Sequence, residues 1–205
     1  MCGGGVAGFV ALTTAAAWCY PGGTWWDRRA RGYSLWQNFL CDLFHHRALN
    51  GRDNATSASL ATAGALAMLV AMAAFFALLA RAAPASRAAR VARAVGVASC
   101  ALGVAIPLTP SDRHRAAHLA VMLGISVPAL VALGAAAVVT VRGRSRVAAG
   151  FAVLTAVFAS VDALAYAIAT QTRVLDLALA PVQRLAMLSM LGWITAVLAA
   201  RAPQA

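Results

Sequence analysis

Apolar residues fall in six blocks along this chain, with most of the polar residues gathered between them. The blocks span about 3–20, 57–80, 90–108, 110–141, 147–170 and 181–200. Crossing a bilayer takes about 20 apolar residues in a helix. Backbone polar groups at that depth need partners within their own segment, so each block is predicted to be a helix. The expected fold class is an all-α integral membrane protein, a six-transmembrane-helix bundle forming one membrane domain over 1–205. Small residues such as Gly64, Gly96 and Gly103 sit inside the blocks, where they let helices approach closely. The first block ends in Ala15-Ala16-Ala17, a small-residue run of the kind signal peptidase cleaves. No positive residue precedes it and a Trp-Cys-Tyr anchor follows at once, which favours a retained helix.

Between the first two blocks lies a long connector, 21–56, whose pattern changes. After Ser34, an N-cap residue type, Leu35, Trp36, Phe39, Leu40, Leu43 and Phe44 recur at helical spacing. Asn38, Asp42 and His45 fall on the other face, at i, i+4 and i+7. This predicts an interfacial amphipathic helix, apolar side down. Trp18, Trp25, Trp26 and Trp36 cluster in or beside it, as interfacial anchors do. Asp42 and His45 are one turn apart, close enough for the carboxylate to orient the imidazole.

Composition then sharpens the class. The chain is 62% hydrophobic and 11% charged, against about a quarter charged in an ordinary soluble domain. Its mean hydropathy is +0.77. The net charge of +11 comes from arginine alone, and every acid is an aspartate. These arginines lie between apolar blocks and form no basic groove, so no nucleic-acid partner is expected; lipid headgroups and topology account for them. Arg81, Arg87, Arg90, Arg93, Arg142, Arg144, Arg146 and Arg201 share one side, in short turns without acids. That side is expected to be cytoplasmic, with both termini on it, in a bacterial inner membrane. The opposite side carries the connector, the Thr109–His118 turn, the Gln171–Arg184 turn and all four histidines. Function is expected there. No CxxC pair is present, which speaks against thiol-redox chemistry. Cys19 and Cys41 could meet in a disulfide on an oxidising face, or be plain apolar fillers.

Three polar groups outside the connector invite chemistry. Thr109-Pro110-Ser111-Asp112 has the form of a capped helix start, and His114 and His118 follow at i and i+4, about 6 Å apart along the axis. Two such histidines can share a metal, although the glutamate of an HExxH motif is missing. Asp162 lies two turns inside the fifth block, where a carboxylate needs a partner or a pocket. Tyr166 shares its face, and His118 and Arg184 are its candidate partners.

The order Tyr20-Pro21-Gly22-Gly23, Gly32-Tyr33-Ser34 and Asn38-Phe39-Leu40-Cys41-Asp42-Leu43, followed by Asn50-Gly51 and Asn54, resembles the bacterial and archaeal membrane family catalogued as domain of unknown function 998. More distantly the chain is similar to the Frag/DRAM/Sfk group. The resemblance implies six helices with a first connector of this kind, and no residue roles. Cys41 and Phe44 stand where that family often has Ser and Gly.

Several functions fit these residues. The first is a polar His/Asp pocket that binds a lipid or membrane partner, with contacts from Trp25, Trp26, Trp36, Asn38, Tyr166 and Arg184. The second is a zinc-dependent membrane hydrolase acting on a lipid. In it His45 (or His46), His114 and His118 would hold the metal, and Asp42 or Asp162 would be the catalytic carboxylate. A third is a small proton- or ion-coupled transporter built on Asp162, and a fourth a bis-histidine haem protein.

Overall fold

The computed structural model describes residues 2–143, 145–172 and 176–201, so Arg144 and part of the predicted Gln171–Arg184 turn lie outside the described residues. Among the described residues seven α-helices account for the apolar blocks: α1 Cys2–Cys19, α2 Ala55–Ala82, α3 Arg87–Gly103, α4 Ala105–Leu108, α5 Arg115–Val141, α6 Arg146–Thr172 and α7 Asp176–Ala199. With α3 and α4 forming one span, six are long and apolar enough to cross a membrane.

Consecutive spans pack side by side, α1 on α2, α2 on α3, α3 on α5, α5 on α6 and α6 on α7, and α1 meets α7 to close the ring. Antiparallel packing of consecutive spans puts the long connector, the α4–α5 turn, the end of α6 and the start of α7 at one end of the bundle. The core fills the other end. There Phe75 and Trp193 meet edge to face, with centroids 5.2 Å apart, and Trp193 Nε1 donates to Thr140 Oγ1 at 3.2 Å. That bond ties α7 to α5 where both are buried. Close approach depends on small residues here: a Cβ on Gly96 would come within 2.4 Å of the Phe76 ring.

Three predicted elements differ from those observed. The connector carries no amphipathic helix; it holds turns, two isolated antiparallel bridges (Gly22 with Arg31, Arg47 with Asp53) and a short 3-10 helix, Leu40–Phe44. Its own polar side chains bond backbone groups of the same segment in place of a continuing helical ladder. Asn38 Oδ1 accepts from Ser34 N–H at 2.9 Å, and Asp42 Oδ2 accepts from Phe39 N–H at 2.9 Å. The fourth span begins at Arg115 and not at Pro110. Asp112, expected to support that helix start, instead accepts from His46 and Arg47 N–H at 2.8 and 3.2 Å, tying the turn to the connector. The last helix starts at Asp176, five residues before the predicted Pro181, which it accommodates internally. Cys19 and Cys41 are free thiols, Cys19 being exposed.

The connector is knitted as a plug. Gly22 (φ +124°) and Gly23 (φ +87°) pass through left-handed backbone. A Cβ on Gly23 would stand 2.4 Å from Asn50 N. Tyr20 Oη accepts from Leu49 N–H at 3.0 Å. Asn50 Nδ2 donates to Pro21 O at 2.9 Å, and Asn54 Nδ2 donates to Leu43 O and His45 O at 3.2 and 2.8 Å. Beneath it, Leu43 and Ala48 pack with Ala16, Tyr20 and Ala61 of the α1–α2 side. The connector is therefore anchored on α1 and α2 and reaches across the bundle.

Gly23→Ala is expected to destabilise the protein by at least about 2 kcal/mol, through strain and backbone collision together. Gly150→Ala, where an added Cβ meets nothing within 4 Å, should stay within about 1 kcal/mol of wild type. Thermal unfolding in mild detergent measures both.

Candidate functional site

Asp42 is the centre of the plug. It is 1% exposed, and its carboxylate accepts from Trp25 Nε1 at 3.1 Å, Asn38 Nδ2 at 3.1 Å and Phe39 N–H at 2.9 Å. Burial pushes its pKa up, while the positive charge available to His45 and the three N–H donors pull it back. Asn38, fully buried, also donates to Gly23 O at 3.0 Å, so one side chain links the glycine turn, the carboxylate and the Ser34 turn.

Arg184 fastens this assembly to α7. The guanidinium is 5% exposed. It donates to Asn38 O at 2.7 Å, to Tyr33 Oη and to Gln183 Oε1 at 2.9 Å, and it lies 5.6 Å from the Tyr33 ring centroid. Tyr33 in turn donates to Phe39 O at 3.1 Å, and burial raises its pKa, so the phenol keeps its proton. Gln183 Oε1 also accepts from Leu40 N–H at 2.9 Å. The expected Arg184–Asp162 pairing does not form a hydrogen-bonded contact among the described residues; the arginine serves the connector.

Under the plug, α5, α6 and α7 enclose a cavity of about 640 Å³. α5 and α7 are joined at Trp193–Thr140, and the cavity is lined by both nearer the connector. Trp25, Cys41, Asp42, Ser111, Arg115, His118, Asp162, Tyr166 and Gln183 line the cavity together with Leu119, Met122, Leu130, Leu133, Ala159 and Ala163. Ser111 Oγ lies 2.7 Å from His45 Nε2. His118, 4% exposed, points Nδ1 at Thr109 O, 2.8 Å away; a carbonyl can only accept, so that nitrogen carries the hydrogen and Nε2 is the acceptor of the neutral ring. Asp162 is half-buried on the α6 wall and has no hydrogen-bond partner among the described residues.

Comparison with protein-family models, curated proteins and solved structures yields no match. The site is therefore read from its own geometry.

Of the residues singled out by sequence, Trp25, Asp42, His118, Asp162 and Tyr166 line one cavity, and His45 stands behind Ser111. Asn38 and Arg184 are brought to the site as its framework. Trp26 and Trp36 do not line the cavity, and Trp36 is 66% exposed. The three histidines proposed to hold zinc do not converge. His114 occupies the exposed N-cap of α5 while His118 is buried, because the helix starts one turn later than predicted. Among the described residues no three His, Cys, Asp or Glu side chains are grouped to hold a metal ion. Sequence reasoning missed Ser111, Arg115 and Gln183. Arg115 carried a signal, being an arginine at the mouth of an apolar span, four residues after Ser111.

Arg184→Ala is expected to cost about 3 kcal/mol, since it strips charged donors from buried acceptors, and Arg184→Lys should recover less than half of that. Chemical or thermal unfolding in detergent reads both. For Asp42 the folded pKa is raised, so the native state binds its proton more tightly than the unfolded chain. This group's contribution to stability is full below the ordinary carboxylate pKa and lost as pH rises through the raised value. Melting temperatures of wild type and Asp42→Asn across that window should differ in slope, wild type gaining relative stability on acidification.

Proposed function

We propose that this chain is an integral membrane protein that binds a membrane lipid, or a lipid-like amphiphile, in the cavity beneath its connector. The observation that carries the reading is the polarity gradient within one continuous cavity. Along α5 the lining runs from Arg115 to Leu133, about 27 Å at helical rise. It is polar at the connector end (Ser111, Arg115, His118) and apolar below Leu119, with Ser126 as an exception. Along α6 it passes from Tyr166 and Asp162 to Ala159. Its size suits a small-molecule site, and a few convergent polar groups over apolar walls are what such sites use to orient a ligand. An acyl chain would lie among Met122, Leu130 and Leu133, with the headgroup between Arg115 and Asp162.

In this reading the connector faces away from the cytoplasm in a bacterial inner membrane, and the dense short arginine turns face inward. The likeness of the connector to the family catalogued as domain of unknown function 998 belongs to the same proposal. A second reading, a small proton- or ion-coupled transporter, is favoured by one observation. Asp162 is a carboxylate inside a candidate span, facing a cavity and without a hydrogen-bond partner among the described residues. The zinc hydrolase loses its support with the dispersed histidines.

Native mass spectrometry of protein released from mild detergent should show retained lipid on wild type. Ala163→Trp, which fills the cavity from α6, should lower that occupancy at least tenfold with little change in melting temperature. Equal lipid retention in the two proteins would refute the cavity reading.

A further inference from the structure

Ser111 and His45 come from segments 66 residues apart in sequence, yet their side chains meet at 2.7 Å. Ser111 is on the cavity wall, while His45, 2% exposed, is set behind it. His45 is rigidly held. Its backbone N–H donates to Asp42 O at 3.3 Å, and its carbonyl accepts from Asn54 Nδ2 at 2.8 Å. Its Nδ1 is buried without a hydrogen-bond partner, and the Asp42 carboxylate is near enough to couple electrostatically to the ring. A hydroxyl facing a ligand cavity, a fixed imidazole within hydrogen-bond reach and a buried negative charge nearby are the parts of an activated nucleophile. A clamp between connector and α5 would not need a serine here, because Asp112 already makes that tie through His46 and Arg47.

We propose that Ser111 is a nucleophile and His45 its general base, and that together they cleave an ester bond of an amphiphile held in the cavity. The proposal rests on the cavity reading above. Ser111 Oγ adds to the ester carbonyl carbon while His45 Nε2 takes the hydroxyl proton. The tetrahedral adduct collapses, the acyl C–O bond to the leaving alcohol breaks, and His45 returns the proton to that alcohol. Water then attacks the acyl-serine with His45 again as base, releasing the carboxylic acid and restoring Ser111. The backbone N–H of Ser111, a residue of the cavity wall, has no hydrogen-bond partner among the described residues, which leaves it available to the oxyanion. Arg115, on the same wall, suits an anionic group on the substrate.

The test is reaction of the full-length protein in mild detergent with a fluorophosphonate probe, read by intact mass and peptide mapping. One adduct per chain on Ser111 is expected. It should be absent in Ser111→Ala, and its rate of formation should fall at least 100-fold in His45→Gln, both variants keeping a wild-type melting temperature. Ser111→Cys, which keeps a nucleophile, should react with iodoacetamide faster than free cysteine does, and adding His45→Gln should remove that advantage. An unlabelled Ser111 in folded wild type, or labelling unchanged in His45→Gln, overturns the proposal. Lipid retention measured on the same samples separates the two ideas. Retained lipid without labelling sinks the dyad alone, and loss of both sinks the cavity as well.

Discussion

Burying a polar group without a partner is costly, and in this protein that cost shapes one end of the bundle, where His45 Nδ1, Asn54 Oδ1 and Arg184 Nε are the exceptions among the side chains named here. Asn38, Asp42, His45, Asn54 and Arg184 are each 5% exposed or less. The hydrogen bonds of Asn38, Asp42 and Asn54 replace the regular ladder that the connector lacks, and Arg184 joins them to α7. Deleting the arginine would leave Asn38 O without its charged donor and Tyr33 Oη without the guanidinium. Without Asp42, Trp25, Asn38 and Phe39 would each lose an acceptor. The connector is thus a folded plug whose shape is set by side chains more than by backbone.

The plug also creates the cavity. It is anchored on α1 and α2 through Leu43, Tyr20 and Ala61, but it is pinned on the far side by Gln183 and Arg184 of α7. Between those anchors it covers the cavity lined by α5, α6 and α7. The same residues that satisfy the plug therefore face a ligand: Asp42 is both a structural acceptor and part of the wall. Stability and function are coupled here by geometry, so variants at Asp42 report on both, and Ser111, Ala163 and Asp162 are the cleaner probes of the cavity.

The helices were legible in the chain because roughly twenty consecutive apolar residues leave few alternatives. Their ends were less so. Asp112 could cap α5 or bind the connector, and only its meeting with His46 and Arg47 decides between them. The connector's apolar period looked helical, yet Asn38 and Asp42 hold backbone N–H groups of their own segment and stop the helix. Asp162 and His118 could be singled out from depth alone, since polar groups inside apolar spans need a reason.

By itself, then, the sequence determined the six apolar helices, their alternating connections and the end of the bundle that carries the polar residues. Those features follow from local composition and the length of a span. Tertiary structure alone decided that Trp25 joins the donors around Asp42, that Arg184 hydrogen-bonds the connector, that no three ligand side chains group to hold a metal among the described residues, and that Ser111 meets His45. The contacts among these that join distant segments, Trp25 with Asp42, Arg184 with Asn38 and Ser111 with His45, link residues whose separation in sequence carries no information about their distance in space. The physical reason is that hydrogen bonds are directional and short, so they depend on how helices are set against one another to within about an ångström.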